Sequence, residues 1–110
     1  MAAKFEINKA KNGSFFFNLK AANGLVILSS EQYKQKNGVT AGIKSVRSNA
    51  GKAARYNKKK SSNGKHYFTL SASNGEVIGK SQMYSSTSGM DNGIKSVSNN
   101  ANDARVVDNS

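Results

Sequence analysis

The sequence predicts an α+β fold in which one domain, residues 1–110, contains two tandem β-β-β-α-β repeats. Shifting the chain by 51 positions aligns residues 5–59 with 56–110 and finds 21 identical residues, which indicates a duplication. Each half has two Asn-Gly pairs between runs rich in β-branched and aromatic residues, the pattern of antiparallel hairpins. Each half then changes to apolar residues at helical spacing. The repeats are predicted to span about 4–54 and about 55–108.

The Asn-Gly pairs divide each half into three strands. Asn12-Gly13 and Asn23-Gly24 separate the runs KFEINKAK, SFFFNLKAA and LVILSS, and the second half repeats the pattern with ARYNKKKSS, KHYFTLSAS and EVIGKS. Both residues of an Asn-Gly pair tolerate the positive φ of a type I′ turn. Each half is therefore predicted to form a three-stranded meander with type I′ turns.

The middle strands alternate between a core face and a less buried face. The core face is predicted to carry Phe15, Phe17 and Leu19 in the first repeat, and His66, Phe68 and Leu70 in the second. Phe16 and Tyr67 are then expected to share the less buried face of the sheet.

A short amphipathic helix is predicted after the third strand of each repeat. Its apolar positions are Val39, Ile43, Val46 and Ala50 in the first repeat, and Met90, Ile94, Val97 and Ala101 in the second. Asn37 and Ser88 are expected as N-caps, with Asp91 in the first turn of the second helix. The helices are expected to end near Asn49-Ala50 and Asn100-Ala101.

A final strand follows each helix, in AARYN and in DARVV. The first of these runs is both the end of repeat one and the start of repeat two. We therefore expect one strand, continuous through 53 to 60, at the seam between the repeats.

The pentapeptide GIKSV occurs at 42–46 and again at 93–97, inside the predicted helices. A glycine within a helix costs about 1 kcal/mol relative to alanine, so Gly42 and Gly93 need a structural reason. The hypothesis is that each glycine lets its helix approach a neighbouring helix or sheet backbone. A phosphate-binding loop is disfavoured, because the spacing of GVTAGIKS does not match the Walker motif and Lys44 should point to solvent.

The doubled order of NG, aromatic strand, AxNGxVI, SxxY and GIKSVxxNA resembles the YegP-like family of small bacterial proteins, over essentially the whole chain. The resemblance implies that the two β(3)-α-β units form one antiparallel sheet, with two helices packed on it and with C-terminal strands exchanged between the repeats. It implies no activity and no catalytic residue. A unit of 51 residues buries little apolar surface alone, which also favours a shared sheet.

Little in the sequence favours catalysis, so the chain is expected not to be an enzyme and to use no cofactor or metal. There is no cysteine, His66 is the single histidine, and the six carboxylates are scattered. His66 is expected in an aromatic position at a sheet edge. Tyr33 and Tyr84 either stack on a ligand or, as we favour, anchor the loop before each helix.

A formal net charge of +11 favours acidic partners, either nucleic acid or an acidic protein. Lys58, Lys59 and Lys60 are expected on an edge strand, where they either bind anions or only prevent sheet-to-sheet association. The candidate contacts for an anion or nucleic acid are Phe16, Lys20, Tyr67, Lys9, Lys11, Lys58, Lys59, Lys60 and Lys65.

The sequence thus predicts a non-enzymatic binding or interaction module. One alternative is a weak, salt-dependent nucleic-acid binder that uses a basic sheet face with aromatic residues. Another is a structural or stress-related accessory protein that contacts another protein. The absence of cysteine and of long apolar runs predicts a cytoplasmic protein with no membrane segment. The resemblance implies that the tandem copies replace two subunits, so a monomer with internal pseudo-twofold symmetry is expected.

Overall fold

A computed structural model describes residues 3–110, so the first two residues of the predicted domain lie outside the described residues. Within that range the chain forms seven strands and two helices. These are β1 (Lys4–Lys9), β2 (Phe15–Lys20), β3 (Val26–Ser29), α1 (Lys36–Asn49), β4 (Tyr56–Lys60), β5 (His66–Ser71), β6 (Val77–Lys80), α2 (Thr87–Asn100) and β7 (Arg105–Asp108). Neither helix is long and apolar enough to cross a membrane.

All seven strands belong to one sheet, in the order β4-β5-β6-β3-β2-β1-β7. The two meanders meet at the β3–β6 pair, through Ser29 opposite Lys80. The predicted fold class is confirmed, and the sheet is mixed because β7 runs parallel to β1 while the other neighbours are antiparallel. Each helix contacts strands of both repeats, so the two halves share one core.

The exchange of C-terminal strands runs in one direction only. The last strand of repeat two, β7, pairs with β1 of repeat one. By the 51-residue repeat, the counterpart of β7 in repeat one is 54–57, of which Tyr56 and Asn57 lie in β4. Because this segment forms the first strand of repeat two, it cannot also form a separate outer strand beside that first strand.

The seam strand begins later than predicted. Ala53–Arg55 forms a short 3₁₀ turn, and the strand starts at Tyr56 rather than at residue 53. The turn is closed by the Arg55 N–H, which donates to the Lys52 carbonyl at 3.0 Å, and the Arg55 Nε donates to Asn49 Oδ1 at 3.1 Å. These bonds redirect the chain from the end of α1 to the edge of the sheet.

The core lies between the helices and one face of the sheet. The predicted alternation is confirmed, because Phe17, Leu19, Phe68 and Leu70 are fully buried. The apolar face of each helix is buried on the same side of the sheet, with Ile94 the least buried of the predicted positions. The predicted core residues Phe15 and His66, at the beginnings of their strands, are only half-buried.

The hairpin turns differ from the predicted type I′ form. In each hairpin loop only the glycine of the Asn-Gly pair has a positive φ, for example 87° at Gly13, and the asparagine before it does not. The Gly13 N–H donates to the Ala10 carbonyl at 3.0 Å, and the Ala10 N–H donates to the Ser14 carbonyl at 2.7 Å. This is a longer hairpin loop, a type I turn followed by a glycine in the left-handed region. Asn12 Oδ1 accepts from the Ser14 N–H at 3.0 Å, which is what the asparagine contributes.

Both helices begin earlier than predicted. The N-caps are Gln35, which makes no side-chain cap, and Ser86, whose hydroxyl accepts from the Gly89 N–H. The expected caps Asn37 and Ser88 are therefore inside the first turns. Asp91 lies beyond the first turn of α2, and its carboxylate pairs instead with Lys58. The helix ends are as predicted.

The helical glycines make room for aromatic rings, and the hypothesis of an approach to another backbone is wrong. A Cβ on Gly42 would lie 2.8 Å from the Tyr33 hydroxyl and 3.0 Å from a ring carbon of Phe17. A Cβ on Gly93 would lie 2.8 Å from Tyr84 Cζ. The tyrosines are held where they are by the core and by backbone pairing, so the loop-anchoring role is confirmed.

Candidate functional site

The two edges of the sheet differ, and the β1 edge is the completed one. The Arg47 guanidinium donates to the Ala104 carbonyl at 2.5 Å and lies 5.4 Å from the centre of the Phe5 ring. Lys36 Nζ pairs with Asp108 at 2.9 Å. The neighbouring Ser110 and then Lys36 lower the pKa of Asp108 to about 2. The result is that β7 covers the outer side of β1, where Phe5 is fully buried.

At the opposite edge, β4 directs backbone groups away from the sheet. Phe68 exchanges hydrogen bonds with Ser81, so the Phe68 backbone faces β6, and His66 likewise exchanges two backbone bonds with the loop after β6. Lys58 lies opposite Phe68, and Lys60 lies opposite His66. In an antiparallel pair, residues opposite such positions point their own N–H and C=O outward. No strand lies beyond β4 within residues 3–110.

A groove of about 840 Å³ lies beside this open edge, between β4 and α2. Its lining consists of Ala53, Tyr56, Asn57, Lys58, Lys59, Asp91, Ile94 and Lys95. Lys58 Nζ pairs with Asp91 at 2.9 Å, and both side chains are about half exposed to solvent. Three cations against one carboxylate leave the groove with a net positive charge.

Tyr56 forms a fixed apolar wall of the groove. Its ring meets Phe68 edge-to-face at 5.6 Å between centroids, and its hydroxyl donates to the Ala50 carbonyl at 2.6 Å. Burial raises the pKa of Tyr56 to about 12, so the phenol stays neutral at ordinary pH. The neighbouring Ile94 is partly exposed, whereas its repeat counterpart Ile43 is buried.

The structure separates the predicted contact residues into two groups. Lys58, Lys59 and Lys60 are exposed on β4, as predicted for an edge strand, with Tyr67 opposite Lys59. Lys65 is in the hairpin that follows. The others lie on the opposite half of the sheet, in β1, β2 and the loop between them: Phe16, Lys9, Lys11 and Lys20.

Phe16 and Tyr67 are both half-buried on the face that neither helix covers. β3 and β6 lie between their strands, so the rings are separated by three strand intervals, at least roughly 14 Å. Lys80 Nζ lies 4.9 Å from the centre of the Tyr67 ring. A groove of about 300 Å³ lies over β3, β5 and β6 in this region, and its lining includes Ser29, Thr69, Val77 and Lys80.

Some of the charged side chains near Phe16 already form ion pairs with each other. Glu6 pairs with Lys20 at 2.8 Å and with Lys4 at 3.1 Å. The hydrogen bond from Lys20, followed by that from Lys4, lowers the pKa of Glu6. Lys20, like Lys58 of β4, is therefore less free to meet an external anion than Lys59 and Lys60.

The ionisable groups are dispersed in the described part of the chain. No three His, Asp or Glu side chains among residues 3–110 come together as metal ligands. His66 is half-buried at the start of β5, opposite Lys60 and bridged to Tyr84, so it lies at the end of an interior strand and not on the edge strand of the sheet. Lys44 is exposed on α1, as the sequence predicted.

Sequence reasoning missed the residues that form the groove with the β4 lysines. Tyr56, Asp91, Ile94 and Lys95 were assigned only structural positions or none. One signal was available, because the seam segment was required both to end repeat one and to begin repeat two. Because one segment fills both roles, two four-strand units give seven strands, and one outer position of the sheet stays vacant.

Comparison with known proteins finds relatives along the whole chain. A family model described as a domain of unknown function, DUF1508, matches residues 10–57 and again 61–108. The UPF0339 protein PA0329 of Pseudomonas aeruginosa is 46% identical, with 100% of both chains covered. The UPF0339 protein YegP of Escherichia coli K12 is 48% identical, with 99% of both chains covered.

Two solution structures share the fold. The NMR structure of the Escherichia coli protein of unknown function yegP has a TM-score of 0.94 at 48% identity, covering 99% of this chain and 94% of that chain. The NMR structure of the UPF0339 protein SO3888 of Shewanella oneidensis has a TM-score of 0.92 at 49% identity, covering 98% and 92%.

Proposed function

This chain belongs to the DUF1508 family of YegP-like tandem-repeat proteins, and we propose that it is a non-enzymatic binding module for an anionic partner. The observation that carries the proposal is the open β4 edge. It combines outward backbone groups, exposed lysines and an adjacent groove of about 840 Å³. Clusters of one sign of charge in a concave surface attract opposite charge and speed encounter.

The arrangement of ionisable groups supports a role without catalysis. Glu6, Asp91 and Asp108 are held in ion pairs with lysines. His66 lies on a different element, at the beginning of β5. A catalytic acid or base needs a second group within hydrogen-bonding reach of the same substrate atom. The basic edge therefore provides a better basis for function than any set of titratable groups.

A spectroscopic titration tests this function. Isotope-labelled protein is titrated with short oligoglutamate and with single-stranded oligothymidylate, each at low and at physiological salt. Binding should move the amide signals of β4 and of the adjacent face of α2, and should weaken as salt rises. If neither anion moves any amide signal at low salt, the proposed function is wrong.

Matched charge variants locate the site in the same titration. Lys58→Gln with Lys59→Gln removes two charges from the β4 edge. Lys34→Gln with Lys44→Gln removes two exposed charges elsewhere and leaves the same net charge. The first pair should weaken binding several-fold more than the second. Equal effects would mean that only the total charge matters.

A weak nucleic-acid binder is the second candidate, favoured by the half-exposed Phe16 and Tyr67. Each ring could stack one base, but their separation provides no shared platform for neighbouring bases. Oligothymidylate shifts centred on Phe16 and Tyr67 would favour this function. A third candidate, an accessory protein that contacts another protein, predicts binding of a polypeptide without dependence on salt.

A further inference from the structure

We propose that the β4 edge and the groove beside α2 bind an acidic segment of another protein as an added β-strand, parallel to β4. This inference rests on the proposed function and specifies its partner. The vacancy comes from the duplication. The sheet provides a place for a C-terminal strand at each end, but repeat one has used that segment to begin repeat two.

The filled edge shows how such a strand would lie. β7 runs parallel to β1, and the Asn109 N–H donates to the Ile7 carbonyl at 2.8 Å. The repeat counterpart of Ile7 is Lys58, whose carbonyl likewise points away from the sheet. A peptide that follows the β7 direction would therefore find an acceptor at the Lys58 carbonyl, in the place that Ile7 has for Asn109.

The chemistry of the open edge favours a polypeptide over a nucleic acid. Lys58 and Lys60 each present an outward N–H and an outward carbonyl. A peptide in extended conformation provides both acceptors and donors at matching intervals. A phosphate backbone provides acceptors, but no row of donors for the carbonyls.

Charge specifies an acidic partner. Lys58, Lys59 and Lys95 line the groove, and Lys60 continues the edge. The filled edge provides a precedent for an acidic residue in the outer strand, because β7 ends in Asp108, which pairs with Lys36. The apolar surfaces of Tyr56 and Ile94 would contact the alternate side chains of the same peptide.

A second copy of this chain fits the vacancy less well than a different protein. Two β4 edges in contact would bring two sets of three consecutive lysines together, which is destabilising. If one copy donated its β7 to the β4 edge of another copy, its own β1 edge would lose the strand that covers it. Neither arrangement yields the net gain that an independent acidic segment does.

The test uses a synthetic peptide, acetyl-DVDVEVDS-amide, with amide hydrogen exchange measured by NMR. In the free protein the outward amides of Lys58 and Lys60 should exchange quickly, while the Lys59 amide, directed towards β5, should be protected. Bound peptide should slow exchange at Lys58 and Lys60 by about tenfold or more and leave Lys59 unchanged. Lys59 is therefore an internal control.

Two variants separate strand pairing from charge. Lys58→Pro removes the outward N–H together with the lysine, whereas Lys58→Gln removes the charge and keeps the N–H. Proline is tolerated on an edge strand where its nitrogen faces outward. We expect Lys58→Pro to bind the peptide about fivefold or more weakly than Lys58→Gln. Equal affinities of two folded variants would overturn strand addition.

Orientation and partner class are determined in the same system. A nitroxide at the peptide N-terminus should broaden signals near Tyr56 if the strand is parallel, and broadening near Lys60 instead would overturn that orientation. Peptide shifts at β4 without amide protection would refute strand addition while keeping the proposed function. Absence of any binding would refute both. Preferential displacement of the peptide by oligothymidylate would assign the edge to nucleic acid.

Discussion

The first strands of the two repeats, β1 and β4, are equivalent in the repeat, but their outer sides differ. β7 pairs with the outer side of β1, whereas no strand within residues 3–110 pairs with the outer side of β4. At one edge, Phe5 is enclosed by β7 and by Arg47. At the other edge, its counterpart Tyr56 is half-buried and borders an open groove. The covalent connection between the repeats creates this difference, because it converts the final strand of repeat one into the first strand of repeat two. Duplication in a single chain thus leaves one strand position unfilled.

The largest expected effect comes from the aromatic pair Phe5 and Tyr56. Phe5→Ala should lower the free energy of unfolding by about 3–5 kcal/mol, because it leaves a cavity beneath a covered edge. Tyr56→Ala should cost roughly half as much, since the groove already exposes one side of the ring and water can fill the space. Urea unfolding of both variants measures the difference. Equal losses would show that the two edges are energetically alike.

The next effect concerns the side chain that fastens β7. Arg47→Ala removes the charged donor to the Ala104 carbonyl and the contact with Phe5, and should cost about 1.5–3 kcal/mol. The matched control is Ser98→Ala, the same repeat position at the open edge, which should stay within about 0.5 kcal/mol of the parent. The same urea unfolding measurements apply. If Arg47→Ala leaves the free energy of unfolding unchanged, Arg47 does not stabilise the closed edge.

A smaller loss is expected where the repeats resemble each other. Gly42→Ala and Gly93→Ala place a methyl group against Tyr33 and Tyr84, at a cost of about 1–3 kcal/mol that helix propensity offsets by about 1 kcal/mol. Both should lower the melting temperature by similar amounts. Gly51→Ala, which meets nothing within 4 Å, is the control. An unchanged or higher melting temperature for Gly93→Ala would refute the ring contact.

The smallest effect is the pH response of the closed edge. The pKa of Asp108 is lowered to about 2, so its carboxylate stabilises the folded chain above the ordinary pKa of the group. That contribution should be complete above about pH 4 and lost as the pH falls towards 2. A carboxyl titration by NMR measures the midpoint. Lys36→Gln and Ser110→Ala should each raise it, and a midpoint unchanged in both variants would contradict the cause.

Much of the fold was predictable because its signals are local. The 51-residue repeat, the period of two in β2 and β5, and the helical spacing around GIKSV each depend on neighbours in the sequence. The faces of Phe17 and Phe68 follow from that spacing alone. The errors in turn type and in helix start were also local in origin, since Asn-Gly permits several hairpin loops and several polar residues precede each helix.

The candidate site was only partly predictable. Lys58, Lys59 and Lys60 suggested an edge strand by composition. Lys95 gave no such signal, because on the sequence it is one exposed lysine of a helix. Its proximity to β4 depends on how α2 crosses the sheet, and no periodicity encodes that crossing.

The sequence by itself determined the units: two copies of three strands, a helix and a last strand, with their buried faces, because hydrophobic alternation is a property of short segments. Only the tertiary structure decided that β7 closes the β1 edge in parallel while β4 stays open beside α2. That choice depends on which distant segments can reach each other. A chain joined through its seam can supply just one of the two outer strands.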